Sequence, residues 1–409
     1  MFEMSDSTRP PRWFTCTPVS FRGDDSTFFS RDSGAFCRAF QALGVESKAV
    51  MPTPAYEDDD PSLIRTEYRN LESVDWWRKF DLDGVLFYVW NLAQYRPIVE
   101  AARASGAKTV LFQDCRSEVF PWFSWKTQTA QMFRQSRLAY PESRLHSFAA
   151  WASLLVRQHL TVLRYPGRRR LFDAADLITF PFPRALENWT SVPFLMSSKA
   201  KSNVVLAAPP ISPHFTYDGT PKENLVVAVG RWDDEEPKRG TFLLGIIDAF
   251  FASGDDVTEF HIFGNTPEFL VRWHESLPRE SRKRVVLHGR IPNSDLVPWY
   301  RRAKALLVPS IHEGTHIASA EAVCSGCAVV ASPLPTMSCC HWYASESSGT
   351  IAQKDTANSF AEALRIELEA WNAGNRNPES FSAIWRNRLH APRTAERILR
   401  HFEAMPRTH

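Results

Sequence analysis

Short, continuous apolar runs recur through the second half of the chain and restrict what it can fold into. They read NLVVAVG, EFHIFG, RVVLHG, ALLVPS, CAVVAS and GTIAQ. A strand that is apolar at every position is buried on both faces, as in a parallel sheet. The segments between the runs, such as TFLLGIIDAFFAS, carry apolar residues at helical spacing. The pattern therefore predicts an α/β fold, with a doubly wound parallel sheet and helical crossovers.

The first half of the chain repeats this plan less regularly. Its predicted strands are RWFTCTP, SKAVMP, DGVLFYVW, KTVLFQD, ADLITF and NVVLAAP, and SGAFCRAFQALG and NLAQYRPIVEAARASG are predicted to be helices. Because 409 residues exceed what one hydrophobic core supports, we expect two such domains. We place them at 1–202 and 203–380, joined near the proline-rich AAPPISPHF, with a helical segment at 381–409.

Composition excludes several function classes. The 48 basic and 46 acidic side chains nearly cancel to a net charge of +2, so no global field favours nucleic acid. The N-terminal residues lack the apolar core of a secretion signal, and no run is long enough to span a membrane. Seven irregularly spaced cysteines do not form a disulfide framework. These features predict a cytoplasmic protein.

An insertion of about 115–170 interrupts the alternation in the first half. It is aromatic (FPWFSWK) and basic (RYPGRRR). We interpret it as an extra helical layer. The alternative is a patch that binds an acceptor or contacts a membrane surface peripherally, since tryptophan, phenylalanine and arginine together suit an interface.

The stretch SIHEGTHIASAEAVC combines two carboxylates with a helix start. Ligands of parallel sheets bind beyond the carboxyl ends of the strands, and the predicted strand ALLVPS ends just before Glu313. Amides at Thr315, His316 and Ile317 suit a phosphate, and Gly314 lets the backbone approach it. Glu313 would accept hydroxyl hydrogen bonds on one side of that phosphate and Glu321 on the other side. A ligand with a sugar, a phosphate and a second sugar fits this arrangement, and a nucleotide sugar has that order of groups. The alternative for Glu321 is a solvated helix position, and His316 is left open between phosphate and solvent.

Cations follow another predicted strand. In VVAVGRWDDEEPKRG, Gly230 and Arg231 end the strand, and Lys238 and Arg239 open the next helix. Fixed cations at this place would neutralise a diphosphate leaving group. The alternative is that the acidic residues at 233–236 pair with these cations at the surface.

Together these motifs resemble the retaining GT-B glycosyltransferases of the family 4 type, the glycosyl transferases group 1. The resemblance extends over about 203–353, and Glu313 and Glu321 match the family's E-x(7)-E signature in register. It implies two Rossmann-like domains that face an interdomain cleft: an N-terminal acceptor domain, a C-terminal donor domain and a last helix, about Phe381 to Met405, that returns to the N-terminal domain.

The resemblance also implies roles for individual residues. Arg231 and Lys238 would hold the diphosphate of the donor, Glu313 the transferred sugar and Glu321 the ribose. The loop at His288 to Ile291, with Arg290, would lie by the base. Ser33 and Gly34 resemble the family's glycine-rich segment before its first helix and would line the cleft, with Asp114 near the acceptor.

The implied reaction moves a sugar from a nucleotide diphosphate sugar, which we expect to be UDP-linked, to an acceptor hydroxyl with retention of configuration and without a metal or other cofactor. The acceptor would be a glycan, a lipid or a small molecule. Six residues separate Arg231 from Lys238, more than in the family, so Arg239 is an alternative to Lys238. An inverting variant would use Asp114 or Asp32 as general base.

Other interpretations carry less weight. Cys324 and Cys327, followed by Cys339, Cys340 and His341, resemble a zinc set, but their positions favour core packing. The D-x-D at Asp81 to Asp83 precedes a strand instead of following one. No G-x-G-x-x-G supports a nicotinamide or flavin oxidoreductase. A degenerate GT-B protein that binds a nucleotide sugar or glycan without transfer is the main alternative.

Overall fold

The structure, a computed structural model, describes residues 9–23, 28–123, 125–254 and 257–403. The chain divides into two compact units. Unit 1 comprises Met1–Cys115, Leu160–Ser212 and Leu389–His409, and unit 2 comprises Arg116–His159 and Pro213–Arg388. Each unit is built on one parallel β-sheet, which confirms the predicted fold class.

The sheet of unit 1 has seven strands in the order β3-β2-β1-β4-β5-β6-β7, and all neighbours are parallel. The strands are β1 (Trp13–Cys16), β2 (Ala49–Pro52), β3 (Leu63–Thr66), β4 (Gly84–Tyr88), β5 (Lys108–Phe112), β6 (Leu177–Phe180) and β7 (Val204–Leu206). The six strands expected from the sequence are present. The additional strand, β3, lies at the edge of the sheet, is only partly buried and contains an arginine, so it lacks the apolar pattern of the others.

The sheet of unit 2 has six parallel strands in the order β10-β9-β8-β11-β12-β13. The strands are β8 (Glu223–Arg231), β9 (Glu259–Asn265), β10 (Val285–Gly289), β11 (Ala303–Val308), β12 (Ala328–Ala331) and β13 (Gly349–Ile351). Renumbered from one, this is the 3-2-1-4-5-6 order of nucleotide-binding sheets. The order reverses between β8 and β11, so the crevice for a ligand is expected where these two strands end.

Helices connect the strands of both sheets. In chain order the α-helices of the described ranges are α1 (Asp32–Ala42), α2 (Tyr68–Leu71), α3 (Val74–Arg78), α4 (Arg96–Ala104), α5 (Trp125–Ala139), α6 (Arg144–Leu160), α7 (Tyr165–Ala174), α8 (Pro183–Ser191), α9 (Ser198–Ser202), α10 (Gly240–Ala252), α11 (Glu268–Ser276), α12 (Arg279–Lys283), α13 (Val297–Arg302), α14 (Ile317–Cys324), α15 (Ser338–Tyr343), α16 (Ala357–Asn372), α17 (Pro378–Leu389) and α18 (Ala391–Glu403). None of these helices is both long and apolar enough to cross a bilayer.

The boundary between the units differs from the predicted one at 202/203. Strand β7 pairs with β6, and the chain enters unit 2 only at Pro213. The insertion is split, because 116–159 belongs to unit 2 although we assigned all of 115–170 to the first domain. Hydrogen bonds from Gln131 in α5 to Ile311 and Thr336 account for this placement.

The C-terminal segment is also divided differently. Helix α17 stays in unit 2, where Ser382 donates a hydrogen bond to the Cys324 carbonyl and Trp385 packs edge-on against Trp342. From Leu389 onward the described chain belongs to unit 1. Helix α18 packs there on α1 through buried positions that include Ala395 and Ile398. The predicted end of this segment, Met405, lies outside the described residues.

Candidate functional site

Two loops meet where the strand order of unit 2 reverses. The loop 232–239 follows β8 and leads into α10, and the loop 309–316 follows β11 and leads into α14. Because β8 and β11 are parallel neighbours, both loops leave the same edge of the sheet. The Ile311 amide donates to the Pro237 carbonyl at 3.2 Å, which joins the two loops directly.

An ion pair connects the side chains of these loops. Lys238 Nζ donates to Glu313 Oε1 at 2.6 Å, and both side chains are largely buried, with 15% and 12% exposure. The sequence analysis placed these residues in separate motifs that are 75 positions apart. The structure brings them together at the carboxyl ends of adjacent strands, which is the position at which α/β sheets bind nucleotides.

The carboxylate of Glu313 is held in its charged form. Burial would raise its pKa, but the charges of His316 and Lys238 and the hydrogen bond from Lys238 outweigh burial and lower the pKa of Glu313. The Glu313 amide donates to the Thr336 carbonyl at 3.2 Å, which fixes the backbone of the loop. The site therefore presents an anion and a cation at a fixed separation before any ligand binds.

The sequence left two alternatives for His316, a contact with phosphate or a position in solvent. The structure excludes the position in solvent. His316 is 6% exposed, and its Nδ1 lies 2.6 Å from the Ser319 hydroxyl. Its Nε2 lies 4.0 Å from Glu313 Oε1. The residue is the N-cap of α14 with φ of 41°, and a left-handed conformation costs a non-glycine residue on the order of 1–3 kcal/mol. Such strain is often retained at functional sites.

The remaining predicted residues of this loop surround the N-terminus of α14. Gly314 and Thr315 lie between β11 and α14, and Ile317 is the first residue of the helix. The Thr315 carbonyl accepts a hydrogen bond from Tyr343 at 2.9 Å. The first amides of a helix lack intrahelical acceptors and carry partial positive charge, so this end of α14 suits an anion.

Glu321 lies inside α14 and is buried, in contrast to the alternative of a solvated helix position. Its Oε1 accepts a hydrogen bond from Asn293 Nδ2 at 2.9 Å. Asn293 begins a short 3-10 helix after β10, so this contact ties α14 to the loop that follows a neighbouring strand. The sequence analysis did not identify Asn293, because a single asparagine after a strand carries no pattern.

Arg231 and Arg239 differ from the predicted pair of cations. Arg231 is 67% exposed and pairs with Asp234 at 3.0 Å. This is the alternative given above, in which the acidic residues at 233–236 pair with the cations at the surface. Arg239 is buried, its guanidinium forms two hydrogen bonds to Asp355 at 3.0 and 2.9 Å, and its Nε donates to the Pro309 carbonyl. The structure thus favours Lys238 over Arg239 as the cation that meets Glu313.

Gly230 lies at the end of β8, where two strands approach closely. It is paired in register with Gly264 of β9, whose φ is 120°. A Cβ on Gly264 would lie 1.7 Å from the Gly230 carbonyl oxygen, so this crossing excludes a side chain. A Cβ on Gly230 would approach the Trp232 ring at 3.0 Å.

The loop assigned to the base begins later than predicted. His288 belongs to strand β10, and its ring stacks on Phe263 at 4.3 Å between centroids. Its Nε2 lies 2.7 Å from Nδ1 of His261. Arg290 and Ile291 follow the strand in a loop, where Arg290 is exposed and Ile291 is partly exposed.

Two of the predicted acceptor residues occupy unexpected positions in unit 1. Ser33 and Gly34 lie inside the first turn of α1 instead of before it. Ser33 is fully buried with its hydroxyl 2.5 Å from that of Thr17, and a Cβ on Gly34 would lie 2.4 Å from the Phe28 carbonyl oxygen. Both residues pack the helix onto its surroundings within unit 1, and their place in a cleft stays a prediction.

Asp114 follows β5 and is partly exposed. It accepts a hydrogen bond from the Tyr88 hydroxyl at 2.9 Å. Burial and the nearby Asp114 raise the pKa of Asp32, although Arg31 opposes this. Unit 1 therefore places two interacting carboxylates and a phenol near the start of α1.

The cysteines lie in the core of unit 2. Cys324 and Cys327 are free thiols with no solvent exposure, and burial raises the pKa of Cys327 to about 12. His341 Nε2 contacts the Ser332 carbonyl at 2.8 Å. In the described ranges no three His, Cys, Asp or Glu side chains have the arrangement of a metal site.

Two further residues near Glu313 come from the insertion. Arg116 interacts electrostatically with Glu313 and Glu236. Gln131 Nε2 donates to the Ile311 carbonyl at 2.9 Å and to the Thr336 hydroxyl at 3.1 Å. Sequence reasoning missed both, since it assigned their segment to the other domain.

Comparison with known protein families finds a match within unit 2. Residues 223–369 match the family described as glycosyl transferases group 1. This range contains Lys238, Glu313 and Glu321. No curated protein matches the chain by sequence.

Solved structures match the chain over nearly its whole length, at low identity. A glycosyltransferase from Rickettsia africae has a TM-score of 0.63 at 11% identity, covering 98% of this chain and 100% of that protein. A sucrose-phosphate synthase from Thermosynechococcus elongatus has a TM-score of 0.58 at 13% identity, covering 97% and 98%. HepE from Anabaena in complex with UDP has a TM-score of 0.56 at 12% identity, covering 96% and 100%. The chain therefore has the GT-B fold, and its residues 223–369 match the model of the glycosyl transferases group 1.

Proposed function

We propose that the protein transfers a sugar from a nucleotide diphosphate sugar, UDP-linked, to an acceptor hydroxyl with retention of anomeric configuration. The observation that carries this proposal is the Lys238–Glu313 pair at 2.6 Å, where the strand order of the donor sheet reverses. The choice of UDP is supported by HepE, a protein of the same fold that has been crystallised with UDP and with UDP-glucose.

The donor would bind with its diphosphate against Lys238 and the first amides of α14. A lysine ammonium and helix amides both stabilise phosphate oxygens. Glu313 would accept hydrogen bonds from hydroxyls of the transferred sugar, and Glu321 from the ribose. Gly230 lets the backbone approach the diphosphate, and Arg290 and Ile291 would contact the base. Because Lys238 and Glu313 already pair, the ligand enters a site whose charges need little reorganisation.

During transfer the bond between the anomeric carbon and the diphosphate oxygen breaks, and the acceptor oxygen forms a bond to the same carbon. Negative charge develops on the departing diphosphate, where Lys238 and the α14 amides stabilise it. A phosphate oxygen takes the proton of the acceptor hydroxyl, so no separate nucleophile is needed and retention follows from attack on the leaving-group side. Metal is not required in this mechanism. The acceptor, a glycan, lipid or small molecule, would bind to unit 1 near Asp114.

Mixing the purified protein with UDP-sugars and candidate acceptors, and measuring the release of UDP, tests transfer. A product whose anomeric proton coupling matches that of the donor supports retention. Inversion would instead point to Asp32 or Asp114 as a general base. Binding of UDP-sugars without release of UDP from any donor and acceptor pair would favour the degenerate protein, which binds without transfer. A thermal-shift panel of UDP, GDP and ADP compares the bases, since a ligand of the native state raises Tm.

A further inference from the structure

Exposed apolar side chains concentrate in one helical hairpin of unit 2. In the described ranges, eighteen large apolar side chains are strongly exposed, and seven of them lie within 125–156. These seven are Trp125, Phe133, Leu138, Tyr140, Leu145, Phe148 and Val156. Single exposed apolar residues are ordinary, whereas a contiguous group marks an interaction surface. We call helices α5 and α6, with their connection, the 125–159 hairpin.

The outer face of α6 carries an apolar stripe. Leu145, Phe148 and Val156 are 76%, 56% and 57% exposed. At about 100° per residue, these three positions and Ala152 fall within roughly 80° of the helix circumference. Phe148 contacts Trp151, which in turn packs against Phe133 of α5. The rings of Phe133, Trp151 and Phe148 therefore connect the exposed apolar residues of the two helices.

The opposite side of the hairpin is fixed to unit 2. Met132 and Ser136 of α5 are buried, and Gln131 donates hydrogen bonds to Ile311 and Thr336. Thr336 also accepts the amide of Glu313. The hairpin is thus anchored beside the candidate donor loop, while Leu145, Phe148 and Val156 of its apolar stripe remain more than half exposed.

The hairpin is strongly basic although the chain is nearly neutral. Between 125 and 159 the sequence contains one acidic residue, Glu142, against five lysines and arginines: Lys126, Arg134, Arg137, Arg144 and Arg157. None of these five forms an ion pair with a residue that the structure describes. Cations beside exposed aromatic rings are typical of helices that lie in the interface of an anionic membrane.

We propose that the 125–159 hairpin docks on an anionic lipid surface, with Leu145, Phe148 and Val156 inserted among the lipids and the basic residues at the headgroups. A second copy of this chain fits less well, since a symmetric contact would bring two basic surfaces together. The inference rests on the hairpin alone and not on the donor chemistry. It places the donor unit next to a membrane and so favours an acceptor that is presented at the lipid surface.

Vesicle co-sedimentation of the full chain tests this inference. We expect binding to vesicles that contain phosphatidylglycerol and little binding to pure phosphatidylcholine. Leu145→Glu with Phe148→Glu should weaken the partition by at least about tenfold, because each change removes an inserting side chain. Arg144→Gln and Arg157→Gln should each weaken it about fivefold, which corresponds to about 1 kcal/mol per cation near the surface.

The matched control is Val271→Glu with Ile366→Glu, which places the same charges on exposed apolar positions of α11 and α16. The control should bind vesicles as the wild type does. Circular dichroism and Tm show that all variants are folded. Failure of the folded wild type to bind anionic vesicles would overturn the proposal, as would equal binding by the hairpin variants and the control. Dimerisation that is lost in the hairpin variants, without vesicle binding, would assign the surface to a second copy instead.

Discussion

The ammonium group of Lys238 lies 2.6 Å from the carboxylate of Glu313, and the two residues come from loops after neighbouring strands of unit 2. The pair lies where the strand order reverses, so its position follows from the topology of the sheet. A lysine cation and a glutamate anion are thereby placed side by side, as the proposed donor site requires.

Replacement of the carboxylate should abolish transfer and preserve the fold. In Glu313→Gln the shape is kept, but the amide cannot accept hydroxyl hydrogen bonds as strongly as the carboxylate does. We expect the rate of UDP release to fall at least about a hundredfold, or roughly 2.7 kcal/mol of activation free energy. The control is Glu275→Gln, an exposed glutamate of α11, which should retain the wild-type rate. Unchanged turnover in Glu313→Gln would remove this residue from the mechanism.

His316 should control the acidic limb of the pH profile. Burial alone would raise the pKa of Glu313, but the charges of His316 and Lys238 outweigh burial. The net result is a pKa below the ordinary value of 4.5. Activity that needs the carboxylate should therefore persist in the wild type until the pH falls below that value. In His316→Gln one of the opposing groups is lost, so the pKa of Glu313 rises and the acidic limb moves to higher pH. Superimposable profiles for the two proteins would contradict this role for His316.

The buried cation Arg239 should contribute more to the free energy of unfolding than the exposed cation Arg231 does. Arg239 forms a buried bidentate pair with Asp355, and removal of one partner leaves an uncompensated charge. We expect Arg239→Met to lower the free energy of unfolding by about 3–5 kcal/mol. The matched variant Arg231→Met breaks the exposed pair with Asp234 and should cost less than about 1 kcal/mol. Denaturant titrations measure both values, and a small loss in Arg239→Met would show that its pair is dispensable for the fold.

The histidine pair of strands β9 and β10 should make stability depend on pH. Burial lowers the pKa of both His261 and His288. Glu259 raises the pKa of the neighbouring His261, but this effect is smaller than that of burial. The unfolded chain therefore binds more protons near pH 6, and stability that is fully present above about pH 6.5 is lost as the pH falls through the lowered folded pKa values. Denaturant unfolding at several pH values should show this loss, reduced in His288→Phe. The exposed His146→Gln is the control, and an unchanged pH dependence in His288→Phe would refute the prediction.

Much of the fold could be predicted from the sequence because buried parallel strands are apolar at every position. The run VVAVG of β8 is an example, and the partly exposed strand LIRT of β3 lacks this signal. Glu313 was identified by its place after a strand and before a helix and by its spacing from Glu321. Which of two neighbouring cations meets it could not be predicted, because the orientation of Lys238 and Arg239 depends on how the loop enters α10.

The division of the insertion between the units depends on tertiary contacts. Gln131 is an ordinary helix residue in the sequence, and its hydrogen bonds to Ile311 and Thr336 join residues about 200 positions apart. Ser33 and Gly34 show the same limitation in unit 1. Small residues near a helix start are consistent with ligand binding and equally with the close packing against Thr17 and Phe28 that the structure shows.

Calorimetric titration of UDP into the wild type and into Lys238→Met tests the central claim most directly. The control is Lys283→Met, which removes an exposed lysine of α12 that pairs with Glu280. Loss of a charged hydrogen bond to the diphosphate costs on the order of 1.5–3 kcal/mol, so Kd should rise roughly ten- to hundredfold in Lys238→Met and stay unchanged in the control. Equal UDP affinity in all three proteins, or no UDP binding by the wild type, would contradict the proposed donor site.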